Sequence, residues 1–488
     1  MKIIKSITAI LLVLALMLSL STMQSSKVSD SDDITNSTSI DEVIFPHDEV
    51  IKVSITVDVD DYANMNENAM NEESIMADIT YNGYEFTSVA IRPKGNSSLK
   101  SVVNSGSNRY SFKIDFDDYI DEQSFLGIEK INLNNLFDDP TMMAEYLSYE
   151  MLDSIDAVSS RTTYSELYIN DEYFGLYLAV EQVEEEFLIE NYGSATGELY
   201  KPEMGDGADL VYTTEYASSY DGLIAKNIES DNEDIIEFMR RIEYGESVDD
   251  IFNVDSYLKY LAMSTLSVHM DSYQGNMFHN YYLYNNDGVF EWISWDLNMT
   301  FNGFPMGGFT DEEATALLIY EPVVASMDSY PLVEFILSND EYIEIYNGYM
   351  QELMDGYLSS ETFETRILEV YEMINSYVKS DPTSFYSYDE FKESLFMSND
   401  EQLTLSDFMS KRIDNVELQL SGKIASTNDG NGNVGTAEVK MGAGEGPVRD
   451  NNGPAINDEN IDQNAQNENM PPQDGNEITQ GKSNNAET

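Results

Sequence analysis

From Val50 onward, apolar and polar positions alternate. Ile51, Val53, Ile55, Val57 and Val59 fall on every second residue, the spacing of a half-buried β-strand. Three hairpins follow the same pattern. ADITYNGYEFTSVAIR reverses at Asn82–Gly83, TTYSELYINDEYFGLYLAVE near Asn170–Asp171, and YYLYNNDGVFEWISW at Asp287–Gly288. In each, residues that tolerate positive φ separate aromatic and β-branched runs, a short-range hairpin signal. Between the first two hairpins the period changes. In PTMMAEYLSYEMLDSI, Met143, Leu147, Met151 and Ile155 recur every four residues with Pro140 near the start, which predicts a helix. A second helix, VDSYLKYLAMSTLSVHM, stands immediately before Asp271, and helical patterns resume from about Pro331 to Leu420. No internal repeat is visible. The order is that of an α+β chain: a β-rich first half with one helix, then a mainly helical second half with an inserted hairpin.

The ends read differently. Lys2 and Lys5, the apolar run Ile7–Leu20 and the small polar residues after it predict a signal peptide over 1–26, cleaved or loosely anchoring, followed by a Ser-, Asp- and Thr-rich linker over 27–47. Beyond about Ala425, Asn, Gly, Gln, Asp and Glu with scattered Pro predict a disordered acidic tail over 425–488. The chain has no cysteine, so disulfides, thiol catalysis and cysteinyl zinc sites are excluded. An exported protein without cysteine suits a bacterial envelope. The net charge of −65 disfavours nucleic acid as a partner. It leaves two readings open, general solubility in salty surroundings or attraction of a Lys-rich partner.

The chemistry-bearing stretch is HMDSYQGNMFHNYYLYNNDGVFEWISWDLNMTF, residues 269–301. His269–Met270–Asp271, with Asn276 five residues beyond Asp271, has the H-x-D-x-x-x-x-N spacing of a phosphoryl-transfer loop. Asp296 follows a hairpin, where a second metal-holding Asp belongs. Each has a plainer alternative: Asp271 as a turn residue, His269 and His279 as satisfied structural histidines. A carboxylate at the end of FEWISW is harder to explain away, because burying it demands a metal, a cation or donors. Upstream, Phe86–Ile114 contains no Asp or Glu but holds Arg92, Lys94, Lys100, Arg109 and Lys113. A cationic island in so acidic a chain is a candidate anion site, with ordinary surface lysines as the alternative. At its centre RPKGNSSL sets Gly95, Asn96 and Ser97 where backbone N–H groups can approach a phosphate, although no P-loop G-K-[ST] is present. Lys113 on the following strand is a candidate phosphate-binding lysine, with Glu145 its candidate partner and Glu150 behind it. The acid cluster Asp58–Asp60–Asp61 lacks the glycine and twelfth-position glutamate of an EF-hand.

Taken in order, IRPKGNSSL, RYSFKIDFDDY, KINLNNLFDDPTMMAEYLSYEML, LYINDEYFGLYLAVEQVEEEFL, GELYK, DSYQGNMFHNYYLY and WISWDLNMTF resemble the spore coat protein H (CotH) kinase family over about residues 48–420. The resemblance implies an atypical protein-kinase-like two-lobed fold, with a β-rich N-lobe at 48–183 and a mainly helical C-lobe at 184–424. It also implies a site for ATP and Mg²⁺ or Mn²⁺, and γ-phosphate transfer to protein serine. Asp271 would be the catalytic Asp, and Asn276 and Asp296 the metal ligands. Arg92, Lys94, Gly95, Asn96, Ser97, Lys113, Glu145 and Glu181 would border the nucleotide, Glu181 in the segment between lobes. DLN stands where kinases carry D-F-G, so a Phe packing switch is not implied. The expected partner is a Lys-rich, Ser-containing coat or envelope protein, and the expected location is secreted or in the envelope or spore coat. The alternative is a catalytically silent structural or adhesive envelope protein on the same scaffold.

Overall fold

The computed structural model describes residues 39–203, 205–399 and 402–436; the expected signal peptide and the chain beyond 436 lie outside them. Seven strands close a barrel: β1 (Val50–Val57), β2 (Ile75–Tyr81), β3 (Tyr84–Lys94), β4 (Ser111–Asp115), β5 (Lys130–Asn134), β6 (Thr162–Ile169) and β7 (Glu172–Glu181). Their order is β1-β2-β3-β4-β5-β7-β6, and closure comes from a parallel pairing of β1 with β6, Val50 opposite Tyr164 through Ile55 opposite Ile169. The other neighbours pair antiparallel. Closure leaves no edge for a further strand to add to. Two of the predicted turns lie in the barrel, with Asn82, Gly83, Asn170 and Asp171 all at positive φ. Val53, Ile55, Ile91, Phe112, Ile114, Ile131, Leu133, Tyr177 and Ala179 fill the interior.

Strand β7 is buried on both faces. Tyr177 and Ala179 face the barrel interior, while Leu176, Leu178 and Val180 join the core of the helical part, which explains its unbroken apolar run. Besides a single turn at Ile40–Val43, this half carries α1 (Val59–Glu67), α2 (Ser97–Asn104) and α3 (Ala144–Asp153). Asp58 caps α1 by accepting from the Asp60 and Asp61 amides, so the Asp58–Asp60–Asp61 cluster is a helix start. Helix α3 begins later than Pro140. Asp139 accepts from the Thr141 and Ala144 amides and fixes its entry, and every residue from Ala144 to Leu152 is buried. Of the segment expected to be a linker, the described part, 39–47, is packed: Val43, Ile44 and Phe45 are buried, and Asn82 and Tyr81 hydrogen-bond to its carbonyls.

The second half holds α4 (Glu185–Tyr192), α5 (Glu233–Glu243), α6 (Val254–Ser267), α7 (Pro331–Leu337), α8 (Asp340–Asp355), α9 (Ser360–Ser380), α10 (Tyr388–Phe396) and α11 (Leu405–Leu420). The inserted hairpin is larger than its sequence suggests. β8 (Leu199–Pro202) and β9 (Leu223–Ala225) extend β10 (Tyr281–Asn286) and β11 (Val289–Ser294) into a four-stranded sheet ordered β11-β10-β8-β9. Helix α6 is buried from Tyr257 to Ser267 apart from Lys259, the signature of a central helix. Among the described residues no helix is long and apolar enough to cross a membrane.

Residues 425–436, assigned to the tail by composition, are held in place. Glu321, only 4% exposed, accepts from the amides of Asn428 (2.7 Å), Gly430 (2.8 Å) and Gly432 (2.8 Å). A Cβ at Gly432 would sit 2.0 Å from the Ala325 carbonyl, so only glycine fits this strap. Arg109 joins the barrel to the chain after α9. Its guanidinium is fully buried and pairs with both Asp381 oxygens at 3.0 and 2.9 Å. It also donates to Thr383 and to the Asn135 and Leu176 carbonyls, and it stacks on Tyr177.

Candidate active site

A cavity of about 1640 Å³ opens between the barrel wall and the helical part. The loop carrying Asp271 is built from its own residues. Val268 leaves α6 at φ +54°, and Ser272 Oγ donates to the His269 carbonyl (2.6 Å). Gln274 links Ser264 (2.9 Å) to Tyr260 (2.6 Å), and a Cβ on Gly275 would lie 1.8 Å from the Met270 carbonyl. This buried strapping fixes Asp271 at the cavity. Asn280 donates to its carbonyl (2.8 Å) and to Oδ2 (3.2 Å), and His279 Nε2 lies 3.3 Å from Oδ1. Burial, then the Asp296 charge, pushes the Asp271 carboxyl up to about 7. Burial also holds His279 below its ordinary range and His269 down at about 3, so both rings are neutral.

Asp296 follows β11 at φ +56° and enters the cavity wall. The turn after it is pinned to α3, where Thr300 meets Ser148 (2.7 Å) and the Ala144 carbonyl (3.3 Å). Helix α3 thus carries Glu145 to the same cavity. Asn134 Nδ2 donates to both Glu145 oxygens at 3.0 and 2.8 Å, and Lys94 Nζ donates to Asn134 Oδ1 at 2.8 Å. Burial and then Asp296 push the Glu145 carboxyl above its ordinary range.

Most of the expected residues converge. Arg92, Lys94, Gly95, Asn96, Ser97, Lys113, Glu145, Asp271 and Asp296 line the cavity. Four features are placed differently from the expected arrangement. Asn276 is exposed and does not line the cavity, because the tight turn at Gly275 carries it outward; Asn280 stands beside Asp271 instead. Glu181 faces away and forms a two-point pair with Arg161, while Gln182–Glu185 line the cavity after it. Lys113 is not the partner of Glu145: Lys94 reaches that carboxylate through Asn134. For Lys113, burial lowers the ammonium to about 7, and Glu184 is the charge that most opposes this. The cationic island is also divided, since Arg109 is locked to Asp381 and Arg92 to Glu72.

Residues 91–416 match the family described as CotH kinase protein. The chain belongs to the CotH kinase protein family. Among characterised proteins, this family member is similar to the inner spore coat protein H of Bacillus subtilis (strain 168). The two are 22% identical over 286 residues, a span covering 53% of this chain and 72% of the relative. The matched family region begins within β3, so β1 and β2 precede it while Lys94 and both cavity aspartates fall inside.

The family's name implies a kinase and hence a divalent cation, and the donor set of this CotH family member suits one. Asp271, Asp296 and Glu145 offer carboxylate oxygens and Asn280 and Asn298 amide oxygens, the ligand class that Mg²⁺ and Mn²⁺ prefer. Among the described residues no Lys or Arg forms an ion pair with Asp271 or Asp296, and the Asp296 charge adds to burial in raising the proton affinity of Asp271. His47, Asp48 and Glu150 form another cluster with ligand atoms within 4.8 Å of one another. There Arg366 already bonds Asp48 and Glu150, and Tyr357 donates to Glu150, so a cation is present in the side chains themselves. Asn280, Asn134 and Lys201 were missed by sequence reading. The first two lie among many asparagines, and no local pattern marks them.

Proposed function

We propose that this CotH family member is an ATP-dependent protein kinase that transfers the γ-phosphate to a protein serine with Mg²⁺ or Mn²⁺. In this reading the barrel and the helical part are the two lobes of an atypical kinase fold. The carrying observation is the convergence of Lys94, Glu145, Asp271 and Asp296 on one cavity from widely separated elements. Asp271 accepts the proton of the substrate hydroxyl as its oxygen bonds to the γ-phosphorus and the bond to ADP breaks. A carboxyl near 7 is suited to that exchange around neutrality. Asn280 orients Asp271, and His279 closes its other side. Asp296 and Asn280 would hold the cation, which when bound neutralises phosphate charge. Lys94 and Lys113 bind phosphate oxygens, and Asn134 keeps Glu145 and Lys94 in register. The Gly95 turn supports this role, since its φ of +122° admits close backbone approach.

The relative's name places that protein in the inner spore coat, and a coat or envelope location for this chain follows as part of the same proposal. The net charge of −65 favours a Lys-rich, Ser-containing substrate. The test incubates the full chain with γ-labelled ATP, Mg²⁺ or Mn²⁺ and a Lys/Ser-rich peptide. Label should pass to serine and vanish in Asp271→Asn. Failure to bind ATP with either cation would overturn the assignment in favour of a silent coat protein.

A further inference from the structure

Lys201 on β8 has no role in the scheme above, yet it lines the same cavity from the side opposite the barrel. Its ammonium lies 5.5 Å from the Tyr282 ring centroid and 5.8 Å from that of Trp295. Lys94, from the barrel, lies 5.8 Å from the same Trp295 ring. Two ammonium groups from different halves of the molecule therefore gather around one indole, and the next residue in the chain is Asp296. Neighbouring lysines are neutralised: Lys226 by Glu203, Lys130 by Glu184. Among the described residues Lys201 has no ion-pair partner, in a chain with 90 acidic residues against 25 Lys and Arg. Lys94 and Lys113, which line the same cavity, likewise form no ion pair, so three lysines face one another there and an entering anion would relieve their mutual repulsion.

We propose that Lys201 is a phosphate-binding residue that grips the β,γ end of a nucleoside polyphosphate from the helical side, opposite Lys94. This rests on the kinase reading of the cavity. The aromatic pair supplies the reason for its placement. Tyr282 and Trp295 hold the ammonium by their ring faces without neutralising it, so its charge stays available to an arriving anion. Gln182 donates to the Tyr282 hydroxyl at 3.1 Å and fixes that ring. Burial and the Lys94 charge depress the Lys201 ammonium, and Asp296 opposes them, which is the behaviour of a cation facing both another cation and the carboxylates. The chemical consequence is selectivity by phosphate number. ATP and ADP reach both lysines, and AMP does not.

The experiment measures equilibrium binding of ATP, ADP and AMP with Mg²⁺ to the full chain and to Lys201→Gln and Lys201→Arg. Lys411→Gln, on the exposed face of α11, is the control for net charge. Lys201→Gln should weaken ATP by about ten-fold or more, the effect of losing a hydrogen bond to a charged group, and AMP by less than about two-fold. Lys201→Arg should recover most of the ATP affinity, and Lys411→Gln should match the wild type. Two results overturn the proposal while leaving the kinase reading intact. One is ATP affinity unchanged in Lys201→Gln. The other is equal loss for ATP and AMP, which would mark Lys201 as a wall residue. A wild-type chain that binds none of the three nucleotides overturns both.

Discussion

Replacing Arg109 with Met tests whether the barrel and the segment after α9 are held by one buried ion pair. Removing the guanidinium leaves Asp381 buried with two backbone donors, the amides of Leu176 (2.9 Å) and Thr383 (2.9 Å). It also strips a donor from the Asn135 carbonyl (3.1 Å) and breaks the stacking on Tyr177, whose centroid lies 4.9 Å away. Loss of one partner from a buried pair costs about 3–5 kcal/mol. These amides, with the Thr383 hydroxyl at 3.4 Å, place this case near about 3 kcal/mol, since a carboxylate that keeps such donors is not fully orphaned. Asp381→Asn in the same background removes the stranded charge. The double variant should therefore be more stable than the sum of the singles predicts, with a coupling of about 1–3 kcal/mol. Gly175→Ala attacks the pair by shape, because a Cβ there would stand 2.3 Å from an Arg109 nitrogen and 2.8 Å from each Asp381 oxygen. Urea unfolding followed by tryptophan fluorescence and circular dichroism gives all four free energies. A cost below about 1 kcal/mol for Arg109→Met, or strict additivity with Asp381→Asn, would refute the argument that this pair joins the two parts.

Three further outcomes are expected. Because the Asp271 carboxyl sits at about 7 in the fold and near 4 when unfolded, its penalty is absent below about pH 4, grows with pH and is complete above about pH 7. Asp271→Asn in EDTA should thus exceed the wild type in stability by up to roughly 4 kcal/mol at pH 7.5 and by far less at pH 4.5; a pH-independent difference would refute this. Asn280→Ala should lower phosphoryl transfer by about 10–100-fold while Asn276→Ala stays within about two-fold, and the reverse ranking would restore the sequence-based choice of ligand. Glu321→Gln keeps one acceptor oxygen but turns an amide N–H₂ on a strap amide. It should lower stability by about 1–3 kcal/mol and speed proteolysis within 425–436, whereas unchanged cleavage would show the strap is held by other contacts.

What the sequence made legible was local. Asn82–Gly83, Asn170–Asp171 and Asp287–Gly288 mark their turns because positive φ is demanded there whatever surrounds them. The helices α3 and α6 are visible for the same reason, since their spacing is written within one turn. Closure of the barrel is not local: β1 meets β6 in parallel across more than a hundred residues, and both strands read as ordinary alternating runs. The site divides along the same line. Asp271 and Asp296 stand out by spacing and by an acid at the end of an apolar run. The choice of Asn280 over Asn276 depends on the direction of a turn that Gly275 and Met270 set in space. The choice of Lys94 over Lys113 depends on Asn134, which is a neighbour of Lys94 only because β3 and β5 flank β4. Arg109 looked available for a ligand because its partner, Asp381, lies 272 residues away.

The Glu321 strap has a consequence for the order in which the chain can mature. Glu321 is buried in the finished fold, and the three amides that satisfy it belong to residues 428–432. A chain emerging from the ribosome therefore carries this carboxylate for more than a hundred residues before its donors exist. Until then, closing the pocket around Glu321 would bury an unsatisfied charge. The helical part can therefore reach its final packing only after almost the whole described chain has been made. A product cut short before Asn428 would keep a flaw that a quality-control protease could find. The strap thus couples the final packing around Glu321 to the presence of residues 428–432.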